Sequence, residues 1–185
     1  MSPSKKVKTL NPSAADFSFE IRSEVPADCD AIDRLTMTVF GPGMFARAAF
    51  ALREGIAPED HLSFVACKGS EIIGSVRLTK IKWGEATVLM LGPLGVLHEY
   101  KSLGAGKALM ATAVNEARER TAIGGPQAII LVGDLAYYER FGFQRIAPAK
   151  IQLPRPADPL RVLVCDLVDG ASKNYSGTAA RLEQV

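Results

Sequence analysis

Phe17, Phe19 and Ile21 alternate with Ser18, Glu20 and Arg22, the period-two pattern of a half-buried strand. In "EVPADCDAIDRLTMTVF" the period changes. Ile32, Leu35, Val39 and Phe40 fall on one helical face, and Pro26 suits the helix start. "GPG" at 41–43 ends that helix. A second short helix is predicted over about 44–54, with Phe45, Ala48, Ala49 and Leu52 on one side and a stop at Gly55. "LSFVAC" and "EIIGSVRLT" read as strands joined by a hairpin turn at "KGS". "TVLMLGPLGV" at 87–96 is a long apolar strand interrupted by Gly92, Pro93 and Gly95. Proline cannot donate to a ladder, and glycine in a strand marks a bulge or a close backbone approach. A helix follows to about Arg120, with Leu109, Ala113 and Ala117 facing inward beside Met110 and Val114. "QAIILVGD" is a buried strand, "LAYYERFGF" a short helix and turn, and "KIQLP" with "RVLVCDLV" a final strand pair. The strand at 87–96, the helix and the strand at 127–133 form one right-handed parallel crossover. The fold class is α/β, with a single mixed central sheet and flanking helices.

Length and composition add few restrictions. The chain has 185 residues, 48% of them hydrophobic and 23% charged, which suits one soluble domain. Residues 1–16 read as a disordered tail, 17–170 as the domain, and 171–185 as a polar tail with a weak helical hint. No apolar run reaches the roughly 18 residues of a membrane span, and the lysines near the N-terminus precede no apolar core, so a cytoplasmic location is expected and no membrane partner. The net charge is +2. Outside the first sixteen residues basic and acidic side chains balance, which argues against a nucleic-acid partner. Cys29, Cys67 and Cys165 fit neither a disulfide framework nor metal spacing and read as small buried thiols. With only His61 and His98 beside them, no metal site is expected.

The chemistry gathers in "EYKSLGAGKALM", residues 99–110. A helix start leaves backbone N–H groups without partners and carries a partial positive charge. Gly104 and Gly106 let a ligand approach that backbone, and Lys101 and Lys107 add full charges. The stretch reads as a cradle for phosphate or pyrophosphate. Two familiar phosphate motifs fail. A dinucleotide turn needs a small residue where Leu109 stands. A P-loop needs glycine at Lys101 and Ser or Thr at Ala108.

A third pattern fits. "PLGV…YKSLGAGKALM" resembles the coenzyme A signature of the GNAT N-acetyltransferase superfamily, Gln/Arg-x-x-Gly-x-Gly/Ala. Gly104 and Gly106 match, and Lys101 replaces the usual Gln or Arg. "AYYERFGF" at 136–143 resembles the family's later Tyr-x-x-x-Gly-Phe element through Tyr138, Gly142 and Phe143. The order of elements agrees over about 17–168, and "LGPLGV", "FGPG" and "GDLAYYERFGF" look like a bacterial subgroup of acetyltransferases. The resemblance implies the GNAT fold with splayed central strands, acetyl-coenzyme A as co-substrate and no metal. Pantetheine would pair with the backbone of Leu94, Gly95 and Val96. The pyrophosphate would rest on Lys101, Ser102, Leu103, Gly104, Ala105, Gly106 and Lys107. Asp134, after the last central strand, is expected at the cleft mouth, with the cap of the following helix as its structural role.

Tyr138 is the residue that the resemblance assigns to catalysis, as hydrogen-bond donor to the departing thiolate. Tyr137 is expected to be structural. Many relatives carry a glutamate on the strand that is 87–96 here, and Thr87–Val96 contains no acid. Glu85, Glu99, Asp134, His61 and His98 stay open as bases. The family shapes its acceptor pocket with the first two helices and the final strand pair. Phe40, Phe45, Arg47 and Arg53 lie in that segment, and Arg77 and Trp83 border it. The two phenylalanines are expected in the core and the two arginines in solvent, with a carboxylate on the acceptor as an alternative partner. The function implied is transfer of an acetyl group to a primary amine, of a small molecule rather than a protein. A coenzyme-binding module without catalysis, and a transferase of another acyl group, are the alternatives. Family habit also allows a homodimer.

Overall fold

The computed structural model describes residues 18–182. Along them run β1 (Glu20–Ser23), α1 (Cys29–Phe40), α2 (Ala48–Ala51), β2 (Phe64–Lys68), β3 (Glu71–Trp83), β4 (Ala86–Val96), α3 (Ala105–Thr121), β5 (Ala128–Val132), α4 (Leu135–Tyr138), β6 (Gln144–Arg145), β7 (Ile151–Gln152), β8 (Val162–Asp166) and β9 (Gly177–Arg181). The tail expected at 1–16, Phe17 and the last three positions lie outside the described residues. No helix of the described residues is long and apolar enough to cross a membrane.

The strand order is β1-β2-β3-β4-β5-β8-β6. Neighbours are antiparallel except β4 and β5, whose parallel pairing spans the crossover through α3. Side chains alternate across a strand. Leu89, Leu91, Ile129, Leu131, Leu163 and Cys165 therefore enter one core, with Leu109, Met110, Ala113 and Val114 of α3. Val88, Met90, Ala128, Ile130, Val162 and Val164 enter a second core on the other face, with Leu52 and Trp83. Burial on both faces explains why the central strands read as continuous apolar runs rather than alternating ones. The close seat of α3 also depends on Gly74, where a Cβ would meet the Gly95 carbonyl oxygen at 3.0 Å and Leu109 Cδ1 at 3.2 Å.

Several expectations are corrected. The second helix shrinks to α2, preceded by a 3₁₀ turn at Pro42–Ala46, and Phe45 is exposed rather than core. "KIQLP" and "RVLVCDLV" do not pair with each other. β8 runs between β5 and β6, and β7 pairs with β9. The polar C-terminal tail is a strand over Gly177–Arg181, antiparallel to Ile81–Trp83 and parallel to β7. Polarity misled because β9 buries only Ala179 in its centre. Cys67 and Cys165 are buried as expected, whereas Cys29 is exposed.

One ion pair fastens β1 to the start of α1. Asp28, 7% exposed, accepts both guanidinium nitrogens of Arg22 at 2.7 and 2.8 Å and the Val25 N–H at 2.9 Å. Hydrogen bonds from Arg22 hold its carboxyl below the ordinary value despite burial. A carboxyl whose value falls on folding stabilises the fold above its unfolded value and loses that contribution as pH falls through the folded one. Asp28→Ala should therefore cost about 1–3 kcal/mol in urea unfolding at pH 7. The gap to wild type should begin to narrow below about pH 4, where the unfolded carboxyl protonates, and close only below the folded value.

Candidate active site

A bulge opens the sheet at its centre. Between the pairs Val76–Leu94 and Leu78–Leu91, β3 contributes Arg77 alone and β4 contributes Gly92 and Pro93. The extra residue bends β4 away from its parallel neighbour. The β4–β5 ladder accordingly consists of Leu89–Ile129 and Met90–Ile130 and goes no further.

The register decides which backbone groups the opening exposes. Leu97 N–H donates to the Ile73 carbonyl at 2.9 Å, and Ser75 stands opposite Gly95. Antiparallel pairs alternate, so the Gly95 amide and carbonyl turn toward β3 while those of Leu94 and Val96 turn toward β5. Of the three residues expected to meet a ligand, Leu94 and Val96 offer their polar groups to the gap. Gly95 instead belongs to the ladder, and its missing side chain leaves room for Leu35 and Phe40 of α1.

Beyond Val96 the chain crosses the expected cradle and enters α3. Gly104 caps the helix in the left-handed region at φ +95°, and Ser102 also has positive φ. The first helical bond runs from Ala108 N–H to the Gly104 carbonyl at 3.0 Å. The N–H groups of Ala105, Gly106 and Lys107 therefore have no acceptor within the helix. Gly106 is small for a separate reason, since a Cβ there would lie 3.1 Å from the Tyr137 hydroxyl. Lys101, Ser102, Leu103 and Lys107 are exposed around the turn.

A cavity of about 380 Å³ lies at the other end of the gap. Leu91 to Leu94, Leu131 and Val132 form its floor, and Tyr138 borders it from α4. The Tyr138 ring packs edge-on against Tyr137 (4.9 Å between centroids) and Phe143 (5.8 Å). Its hydroxyl makes no hydrogen bond among the described residues, and burial pushes the phenol up to about 12. A rigid ring with a protonated, uncommitted hydroxyl can donate to whatever reaches the gap.

Gly133, which the sequence reading missed, makes room for that ring. A Cβ there would come within 2.4 Å of Tyr138 Cε2 and 3.0 Å of Leu131 Cδ1. Gly133→Ala must displace the tyrosine by a sizeable fraction of an ångström. We expect kcat to fall about tenfold or more with little change in coenzyme affinity. A Gly133→Ala/Tyr138→Phe double variant should turn over no more slowly than Tyr138→Phe alone, because both remove one function.

Asp134 follows Gly133 at the cap position of α4, but its side chain makes no cap bond there. It pairs instead with Arg161 Nε at 3.2 Å and is 78% exposed. This ion pair holds an arginine that lines the cavity. The other candidate bases lie elsewhere. His61 sits with Glu59, Asp60 and Lys80 in a separate depression, Glu85 is at the β3–β4 turn, and His98 and Glu99 follow β4 in a 3₁₀ turn. The carboxylate that does line the cavity, Asp158, was not anticipated; its Oδ1 accepts from Leu160 N–H at 2.9 Å. No local motif marks it, since the loop 156–161 reaches the cavity only through the β5–β8 pairing.

Phe40, Arg47 and Arg53 line the same cavity, Phe40 half-buried on its wall rather than in the core. Trp83 does not border it. The indole is buried in the second core and donates to the Lys150 carbonyl at 3.0 Å. Arg77 borders an adjacent cavity of about 330 Å³, its guanidinium forked onto Glu24 at 2.8 and 2.5 Å.

The sequence model of the acetyltransferase (GNAT) family matches residues 30–143. The uncharacterized N-acetyltransferase YjhQ of Escherichia coli K12 is 28% identical over 138 residues, which is 72% of this chain and 73% of that one. The uncharacterized N-acetyltransferase YhbS of the same strain is 26% identical over 167 residues, 85% of this chain and 92% of that one. The crystal structure of the E. coli YhbS in complex with CoA superposes with a TM-score of 0.74 at 25% identity, covering 95% of this chain and 94% of the other. A GNAT family acetyltransferase from Brucella melitensis in complex with acetyl-CoA is 30% identical, with a TM-score of 0.53 over 69% of this chain and 83% of that one.

Proposed function

Because the chain belongs to the acetyltransferase (GNAT) family, we propose that it transfers an acetyl group from acetyl-coenzyme A to the primary amine of a small molecule, by direct attack on the thioester. One observation carries the reading. Unpaired strand groups, unpaired helix N-terminal amides and a free tyrosine hydroxyl lie along a single opening between β4 and β5. The CoA bound to the YhbS structure and the acetyl-CoA bound to the Brucella protein support the same ligand here.

The residues fit such a ligand. The amides of Ala105, Gly106 and Lys107 would take the pyrophosphate, with Lys101 and Lys107 nearby. Leu94 and Val96 would pair with the pantetheine amides as a neighbouring strand would. That places the thioester at the bulge, beside Tyr138.

Acetyl transfer then asks three things of the protein. The attacking amine must be neutral. Arg47, Arg53 and Arg161 outnumber Asp158 around the cavity, and an excess of positive charge disfavours the ammonium form. The carbonyl oxygen gains charge as the N–C bond forms, and a backbone N–H at the bulge can donate to it. The C–S bond breaks with its electron pair on sulfur, and the amine nitrogen loses the proton that balances the new thiol. Tyr138 stabilises the sulfur by hydrogen bonding. Moving a proton from a phenol at about 12 to a thiolate whose thiol ordinarily lies near 8.5 costs about 5 kcal/mol, so early proton transfer is disfavoured.

The test is calorimetric titration with acetyl-coenzyme A, followed by thiol release across a panel of small amines. Binding and amine-dependent release are expected. A folded protein that does not bind acetyl-coenzyme A refutes the reading. One that binds and releases no thiol with any amine points to the binding module.

A further inference from the structure

One of the arginines that line the cavity lies against the bulge with its fork unpaired. Arg53 follows α2 and borders both the cavity beside Tyr138 and its neighbour beneath Arg77. Its Nε donates to the Ala49 carbonyl at 2.8 Å. Its two terminal nitrogens have no hydrogen-bond or carboxylate partner among the described residues, and Nη1 lies 3.8 Å from where a Cβ on Gly92 would stand. The contrast with Arg77 is sharp. Arg77 is forked onto Glu24 and faces Asp33 at 3.7 Å. Burial and the charge of Arg77 pull the Arg53 guanidinium down to about 10, so it stays protonated at neutral pH.

Arg53 is half-buried, and a charge drawn partly out of water without a counter-ion is one that proteins ordinarily pair. Here the space next to the free guanidinium edge is open, and its walls include Met44, Phe50 and Pro93. A planar fork with two free donors matches a carboxylate in geometry and charge. We propose that Arg53 binds a carboxylate of the acceptor, so that the substrate is a small amino-carboxylate with an apolar side chain. This assignment rests on the acyl-transfer reading and names its acceptor class. Arg53 and Tyr138 border one cavity, so a single small molecule presents its carboxylate to the first and its amine to the bulge beside the second. The arginine is then a specificity residue that fixes the amine's orientation, and its charge draws the zwitterion in.

The experiment uses the full chain and matched pairs of leucine, methionine and phenylalanine with their C-terminal amides. First, acetyl-coenzyme A affinity is measured for wild type, Arg53→Met and Arg53→Lys. It should agree within about twofold. If wild type does not bind it, the acyl-transfer reading itself has failed, and the subsite falls with it. Second, thiol release gives kcat/KM for each pair. Wild type should prefer the acid at least tenfold, Arg53→Met should bring the ratio within about threefold of unity, and Arg53→Lys should lie between. Third, CoA-loaded protein is titrated with the N-acetylated acids and amides, which reads the subsite without turnover. The acids should bind more tightly, and only when Arg53 is present. Amides equal to acids in wild type, or an acid preference that survives Arg53→Met, overturns the proposal. So does absence of carboxylate binding in a protein that holds CoA. An Arg53-dependent preference for succinyl-coenzyme A over acetyl-coenzyme A would move the carboxylate to the donor and likewise overturn it. If Arg53→Met does not fold, Arg53→Lys and the wild-type titrations decide.

Discussion

Gly104→Glu should weaken acetyl-coenzyme A binding by about a hundredfold or more while the protein stays folded. A Cβ at this position meets nothing within 4 Å, and the turn around it is exposed. The backbone at φ +95° does resist a Cβ, at a cost of about 1–2 kcal/mol. A carboxylate at a helix N-terminus returns part of that through the macrodipole. The same carboxylate repels the incoming pyrophosphate and competes for the amides of Ala105 to Lys107. Calorimetry with acetyl-coenzyme A and with acetyl-pantetheine separates the causes. The pantetheine compound lacks the pyrophosphate, so its affinity should be nearly unchanged. Gly104→Ala serves as the control for backbone strain and should bind acetyl-coenzyme A within about tenfold of wild type. Equal binding by Gly104→Glu and wild type would mean that the turn does not hold the pyrophosphate.

Tyr138→Phe should lower kcat by about a hundredfold, the lower end of what a positioned donor contributes. Acetyl-coenzyme A affinity should change less than threefold, because the ring and its contacts with Tyr137 and Phe143 remain. The pH profile provides a second check. Burial favours the neutral phenol and raises it to about 12, so Tyr138 keeps its proton through neutral and mildly alkaline pH. Ionisation of Tyr138 should therefore cause no fall in kcat below about pH 11. The acidic limb should follow deprotonation of the acceptor amine, and Tyr138→Phe should lower the plateau without moving that limb. An alkaline fall near pH 9 that disappears in Tyr138→Phe would mean that the hydroxyl titrates lower than its burial implies. An unchanged kcat would return Tyr138 to a packing role.

The fold, the break in β4 and the glycine turn before α3 were legible because they depend on local chemistry. The period of apolar positions marks β4, α3 and β5, and Gly-Pro-Leu-Gly inside an apolar strand marks the place where a ladder breaks. Two glycines before an apolar helix mark backbone amides left open, whatever packs around them. The C-terminal strand was not legible, because β9 draws its stability from pairing with β3 and β7 and carries only Ala179 into the core.

The cavity beside Tyr138 was decided by tertiary structure. Nothing local to Gly133 foretells the Tyr138 ring 2.4 Å from its absent Cβ. Asp134 has the sequence of a helix cap and instead holds Arg161, which β8 brings across from 27 positions along the chain. Arg47 and Arg53 look alike in sequence. One is exposed over the Phe40 ring, and the other lies against the bulge with its fork unpaired. Sequence by itself determined the fold class, the crossover and the glycine turn that opens α3, since these follow from side-chain period and backbone freedom. Packing of distant segments decided which carboxylate reaches the cavity and which arginine is left with an unpaired fork, because solvation and charge pairing depend on neighbours in space.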